Sequence, residues 1–331
     1  MIPNYDLITK SGDTTYYLGP ALESLTLEDS LPEIAYRASF DLKNVPDEVV
    51  IAEGQPAMIR GISFSKQEMS DLLDSGVIWS RLLNRRQTNT YSMTVYDKTI
   101  YLKSEDEYLF PAGQTASQRL KQYAKDWNIP ISNIPNTKTI LTKAVYRSQS
   151  IYSMIMSDLR ETVKKGGNMY RPRMTINGLE LFELGTNETV WQFESTENNS
   201  NIEDFNESSS LDDVVTQVKV LGQASDDARS PVLALLKSDT NKYGTIQRIV
   251  TDSKITTVSE AKTEGSRALR PLLKSNSFNG IDVNTIRAGD KITVNKLELI
   301  IASIVHYCGD PGHMSIQAGT SEWIKREFYW D

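Results

Sequence analysis

The chain has 331 residues, 39% of them apolar and 24% charged, with a net charge of -7 and a pI near 5.2. This length exceeds one small core and predicts two or three domains. The acidic balance argues against a chain that coats nucleic acid, because phosphate binding needs a basic face. No apolar run approaches the roughly 20 residues of a membrane helix.

The N-terminus, MIPNYDLITKSGD, has neither a basic flank nor an apolar core, so no secretory signal is expected. The Asn-x-Ser/Thr matches at Asn187, Asn198 and Asn206 therefore predict nothing about sugar. Cys308 is the only cysteine, which excludes an intrachain disulfide and suits a reducing cytoplasm. His306 and His313 are the only histidines, a scarcity that restricts the available chemistry.

In chain order, the first hundred or so residues read as strands. Short β-rich runs at Tyr16–Leu18, Ala35–Leu42, Val49–Ala52, Ala57–Phe64, Gly76–Leu83 and Tyr91–Leu102 are separated by Asp, Asn, Gly and Pro. Gly61 is placed to bend or bulge its strand. Within Tyr91–Leu102 the apolar phase shifts at Asp97-Lys98, as expected where a strand turns a barrel corner.

The stretch Thr115–Ile129 is an amphipathic helix with Thr115 as N-cap and Ala116, Leu120, Tyr123, Ala124 and Trp127 on one face. Pro130 ends it. A second helix over about Ser150–Lys165 repeats Ile151, Ile155, Leu159 and Val163, and Gly166-Gly167 stops it. A hairpin follows, Tyr170–Ile176 and Leu179–Glu183 about an Asn177-Gly178 turn.

Beyond it, Val190–Glu194 is a strand, and Ser195–Asp213 is a long loop or irregular edge segment. Val214–Gln223 alternates, Ala224–Asp239 is an exposed connection, and Tyr243–Asp252 is a strand. Ser259 to about Leu273 reads as a helix despite Gly265 and Pro271. Arg287–Asn295 and Leu297–Cys308 are strands, Cys308–His313 is a hairpin loop, and Met314–Gly319 is the return strand. An aromatic, charged tail, Thr320–Asp331, closes the chain. No tandem repeat is visible.

The candidates for chemistry are few. His306 and Cys308 lie two apart on a strand and could pair, but no activating setting for a thiolate is visible. His306 and His313 flank a hairpin with Asp310 nearby; as a metal site they are weak candidates, strengthened only if an oligomer triples them on an axis. No Walker A loop, GxGxxG, GxSxG or HExxH occurs. The acidic pairs in Glu105–Glu107 and at Asp212-Asp213 read as solvated faces. No catalytic residue and no cofactor is expected. Trp323, Phe328, Tyr329 and Trp330 are unusual for a tail: they either pack on their own domain or anchor an interface with another subunit.

Four stretches, taken in order, carry a family resemblance. They are MTVYDKTIYLKSEDEYLF with the helix RLKQYAKDWNIP; KAVYRSQSIYSMIMSDLRETVKKGGNMYRPRMTINGLELFEL; SLDDVVTQVKVLGQ; and YGTIQRIVTDSKITTVSEAKTEGSRAL running into RAGDKITV and IIASIVHYCGDPGHMSIQ. Together they resemble the XkdQ/YqbQ type of baseplate hub, found in contractile tails of defective prophages, Gram-positive myoviruses and R-type bacteriocins and related to late control protein D hubs. The match covers most of the chain from about Val49.

The resemblance implies an α+β, mainly β fold with two tube-like β-barrel domains. The first spans 1–112, a small α+β domain spans 113–187, and the second barrel spans 188–331 with a helical insertion at about 240–275. It implies a homotrimer whose six barrels match a sixfold tail tube. Implied partners are the tail tube protein, the central spike protein, a LysM-type tail protein, baseplate wedge proteins, and the tape measure protein in the channel. Neither a membrane nor a specific nucleic acid is implied, and no enzymatic activity. Assembly would occur in the bacterial cytoplasm, and the chain would leave in the tail baseplate of the released particle. The rival expectations are a tail-associated cell-wall hydrolase and a glycan- or receptor-binding module.

Overall fold

The computed structural model describes residues 4–85, 89–196, 199–223, 229–252 and 255–330. Of the stretches singled out above, residues 1–3 of the N-terminus, 197–198 with Asn198, 224–228 of the expected connection, 253–254 and Asp331 lie outside the described residues. Two compact units emerge: Met1–Asn206 with Asn276–Asp331, and Glu207–Ser275.

The larger unit begins with strands β1 (Tyr5–Ser11), β2 (Thr14–Tyr17), β3 (Leu22–Ser30), β4 (Arg37–Lys43), β5 (Pro56–Ile62), β6 (Met69–Arg85) and β7 (Asn89–Asp97). Alternation sets their faces: β4 buries Ala38, Phe40 and Leu42, and β7 buries Tyr91, Met93, Val95 and Asp97. An α+β segment follows, with β8 (Glu105–Phe110), α1 (Ala116–Asp126), β9 (Ala144–Ser150), α2 (Ile151–Lys164), β10 (Tyr170–Thr175) and β11 (Gly178–Glu183). Thr115 and Gln118 form a reciprocal capping box on α1, and Ser150 caps α2. Next come β12 (Trp191–Phe193), the short pair β13 (Ser195–Thr196) and β14 (Asn199–Ser200), and β15 (Ile202–Ser208).

The smaller unit contains β16 (Gln217–Leu221), β17 (Val232–Lys237), α3 (Thr240–Tyr243), β18 (Gln247–Thr251) and α4 (Val258–Ala268). Its sheet order is β17-β16-β18, and α4 covers one face, packing Ala261 against Val218 and Val220. Gly265, a weak point for a helix in sequence terms, sits where α4 packs closely on the sheet: a Cβ would stand 2.3 Å from Leu236 Cδ1 and 3.1 Å from Val220 Cγ2. The chain then returns to the larger unit through β19 (Ser275–Ile281), β20 (Lys291–Val294), β21 (Leu297–Tyr307), β22 (His313–Gly319) and α5 (Ser321–Ile324), which runs into a π-helical turn at Lys325–Tyr329.

Thirteen strands of the chain form one sheet in the order β15-β19-β22-β21-β3-β4-β7-β6-β5-β1-β2, with β12 and β20 attached through β21. The fold is mainly β with an α+β segment, as expected. The two β regions are joined rather than separate, because β3 pairs antiparallel with β21 from Ser30↔Ser303 to Thr26↔Tyr307. No closed barrel is found among the described residues; β2 and β15 are the ends of the pairing path.

Several local expectations change. The phase shift after Tyr96 is not a barrel corner but the end of β7. Asp97 keeps the buried phase, accepts a hydrogen bond from the Thr99 amide at 3.0 Å, and starts a 3-10 turn over Lys98–Lys103. Val49–Ala52 is not a strand. The irregularities of β5 lie between Ala57 and Arg60, while Gly61 admits the Tyr5 ring, which an added Cβ would meet at 2.7 Å. The hairpin loop is Ile176-Asn177, since Thr175 pairs with Gly178. Residues 232–237 of the expected connection form β17, and Arg287–Asp290 is a turn before β20.

Candidate functional site: a buried charge junction and a docked C-terminus

On β3 the inward positions are Leu25, Leu27 and then Asp29, so a carboxylate occupies an apolar phase. It is tolerable only because cations from two other chain segments meet it. Arg171 of β10 donates to Asp29 Oδ1 at 3.0 Å, and Arg287 donates to Oδ2. Arg173 pairs with Asp290 at 3.0 Å, and both Arg171 and Arg173 donate to the Ala288 carbonyl. Arg287 also lies over the Tyr36 ring, 3.6 Å from its centroid. Burial alone would raise the Asp29 carboxyl, yet Arg171, Arg287 and Arg173 hold it well below the usual carboxylate range. Asp97 experiences the opposite balance: burial outweighs Arg287 and the Thr99 hydrogen bonds, and pushes its carboxyl up to about 6.

The turn that carries Arg287 depends on Gly289, with φ +90°, where a Cβ would stand 2.7 Å from Leu184 Cδ2. Thus the N-terminal strands, the α+β segment and the C-terminal strands of the larger unit converge on one charge cluster. A second buried pair lies inside the α+β segment. Arg119 of α1 meets Asp158 of α2 at 2.6 Å, and the Tyr146 hydroxyl donates to the same carboxylate oxygen at 2.6 Å. Such pairs add specificity of arrangement more than net stability.

The histidines do not come together. His306 pairs with Met314 and His313 with Tyr307, so strand alternation sends the two rings to opposite faces. His306 is fully buried between Asp282 Oδ1 at 2.6 Å and the Ile286 carbonyl at 3.0 Å. His313 is exposed and meets Glu203 at 3.0 Å. The two rings therefore do not share a site within one chain. Cys308 is buried too; burial and the Asp282 charge push its thiol up, the reverse of nucleophile activation.

The aromatic tail packs on its own chain. Thr320 caps the last helix, Ile324 and Tyr329 are buried, and the Tyr329 hydroxyl donates to the Tyr170 carbonyl at 2.8 Å. Trp323 meets Phe328 edge to face at 5.8 Å, and Arg160 donates to the Phe328 carbonyl. Tyr329 is thereby removed from the interface candidates, while Trp323, Phe328 and Trp330 keep partial exposure. Trp127, assigned to the helix core, is instead 38% exposed and donates to Asp106. Sequence reasoning missed Asp29, Arg171 and Arg173. The available signal was charge at inward strand positions.

A family model described as YqbQ-like matches residues 38–309. The chain belongs to the YqbQ-like family. Two proteins of Bacillus subtilis strain 168 are similar to this YqbQ-like chain. The uncharacterized protein YqbQ is 30% identical over 180 residues, covering 54% of the chain and 53% of YqbQ. The phage-like element PBSX protein XkdQ is 30% identical over 174 residues, covering 52% and 51%. The chain spans about half the length of these curated relatives. In fold, the YqbQ-like chain is similar to the 43 kDa tail protein of prophage MuSo2 from Shewanella oneidensis, with a TM-score of 0.70 at 11% identity, over 96% of this chain and 98% of that one.

Proposed function

We propose that the chain is a structural baseplate hub of a contractile phage-like tail or bacteriocin. In this reading three copies form a ring that joins the hexameric tail tube to a trimeric central spike, with the tape measure protein in the channel and the LysM-type and wedge proteins around it. The supporting observation is the YqbQ-like match across residues 38–309, combined with a fold like that of a prophage tail protein. The two β regions would be the tube-like parts, and the sheet ends at β2 and β15 would complete their pairing with neighbouring copies. Its work would be geometric rather than enzymatic. Buried arginine–carboxylate clusters suit that role, because they fix one arrangement of segments under load.

The test is immunogold labelling of particles from an induced host whose copy of this chain carries an epitope tag. Gold at the baseplate end of sheathed tubes is expected. Label on fibres, or tagged chain free in the lysate with unlabelled particles, would overturn the reading.

A further inference from the structure

The smaller unit has one sheet face covered by α4 and, among the described residues, one uncovered. On the uncovered face the register sets Lys219 beside Leu235 on one side and Ile249 on the other. Leu235 and Ile249 are 50% and 54% exposed. The solvent face of a small sheet normally carries polar side chains at such positions, and an apolar patch rimmed by charge marks an interaction surface. The charge on this face has one sign: Lys219 lies between Leu235 and Ile249, Lys237 lies two residues beyond Leu235 on β17, and none of the three strands contains an Asp or Glu. The smaller unit as a whole carries ten Lys/Arg against nine Asp/Glu, so the chain's charge of -7 resides in the larger unit.

The larger unit presents a counterpart. In the β8–β9 ribbon, Leu109 and Val145 are direct cross-strand partners and are 66% and 54% exposed. The ribbon carries Glu105, Asp106 and Glu107 against Arg147 alone. Both faces therefore combine two exposed aliphatic side chains with charge of opposite sign; on the smaller unit Lys219 stands between the two.

We propose that the uncovered face of the smaller unit docks on the β8–β9 ribbon of a second copy of this chain. Leu235 would cover Leu109 and Val145, with its neighbours Lys219 and Lys237 set against Glu107 and Glu105. The contact joins two different patches, so it is head to tail, and repeated about the threefold axis of the ring reading it would link each copy to the next. Charge then selects register and partner, while the aliphatic pairs exclude water. The proposal rests on the ring reading above and names the surfaces that would join neighbouring copies.

The test uses two full-length single variants, Leu109→Cys and Leu235→Cys. Both positions are exposed, so folding is not at stake, and the native Cys308 is buried. The two variants are mixed and oxidised. A disulfide-linked dimer is expected in the mixture and not from either variant alone. Adding Lys219→Glu to the second variant should lower its yield by roughly tenfold, and adding Glu107→Lys to the first should restore it. A mixture that gives no dimer, or a dimer indifferent to the charge changes, overturns the contact. Baseplate immunogold reads the hub assignment separately: labelled baseplates without the mixed dimer would remove only this contact, and the mixed dimer without labelled baseplates would remove only the hub.

Discussion

Asp29 and Asp97 lie in the same buried neighbourhood and respond to it in opposite ways. Asp29 is met by Arg171 and Arg287, and its carboxyl is held low. It therefore contributes stability that is complete above its ordinary value near 4 and is lost as pH falls below it. Asp29→Asn should cost about 3–5 kcal/mol at pH 7, because two buried guanidinium groups lose their counter-charge, and the gap to the wild type should narrow in acid. Urea melts at pH 7 and pH 3.5 read both effects. Asp97, pushed up to about 6, holds a proton more tightly folded than unfolded. Its charging therefore removes stability as pH rises from about 4 through 6. Asp97→Asn keeps an acceptor for the Thr99 amide and no buried charge. It should equal or exceed the wild type at pH 7, by roughly 1–3 kcal/mol, with the advantage gone at pH 4. A variant less stable than wild type at pH 7 would refute this account.

At the scale of elements, α1 and α2 were legible and two of the turns were not. Ile151, Ile155, Leu159 and Val163 are all buried on α2, as their spacing implied, because 3.6-residue periodicity is a local property. The β10–β11 turn lies one residue earlier than the Asn-Gly signal suggests. Gly178 serves another contact: a Cβ there would stand 2.4 Å from the Pro130 carbonyl oxygen, at φ +120°. Gly178→Ala should therefore destabilise the chain by about 1–3 kcal/mol, whereas an ordinary hairpin glycine would be cheaper to replace; thermal melts decide. The Arg287–Asp290 turn shows the same limit, since its apolar and charged letters read as strand until Gly289 is seen against Leu184.

For the whole molecule, the tail matters twice. Removing Trp323 to Asp331 takes Ile324 and Tyr329 out of the core, each worth about 1.5–3 kcal/mol. The deletion should lower the melting temperature of the isolated chain as well as impair assembly. Trp330→Ala separates the two effects, because Trp330 is only partly buried, beneath Lys325 and Arg326. Unchanged melting with fewer intact particles would assign Trp330 to an interface, whereas normal particles from both variants would refute a docking role for the tail.

The mainly β class and both long helices were written in the order of residues, because they depend on local period and composition, and the family was carried by the resemblance of four ordered stretches. The continuous sheet through β3 and β21, the parting of His306 from His313, the charge junction around Asp29 and the separation of residues 207–275 were settled only in three dimensions. Alternation along a strand says which side chains share a face. Which strand lies alongside, and which buried charge meets its counter-charge, depends on contacts between residues far apart in the chain.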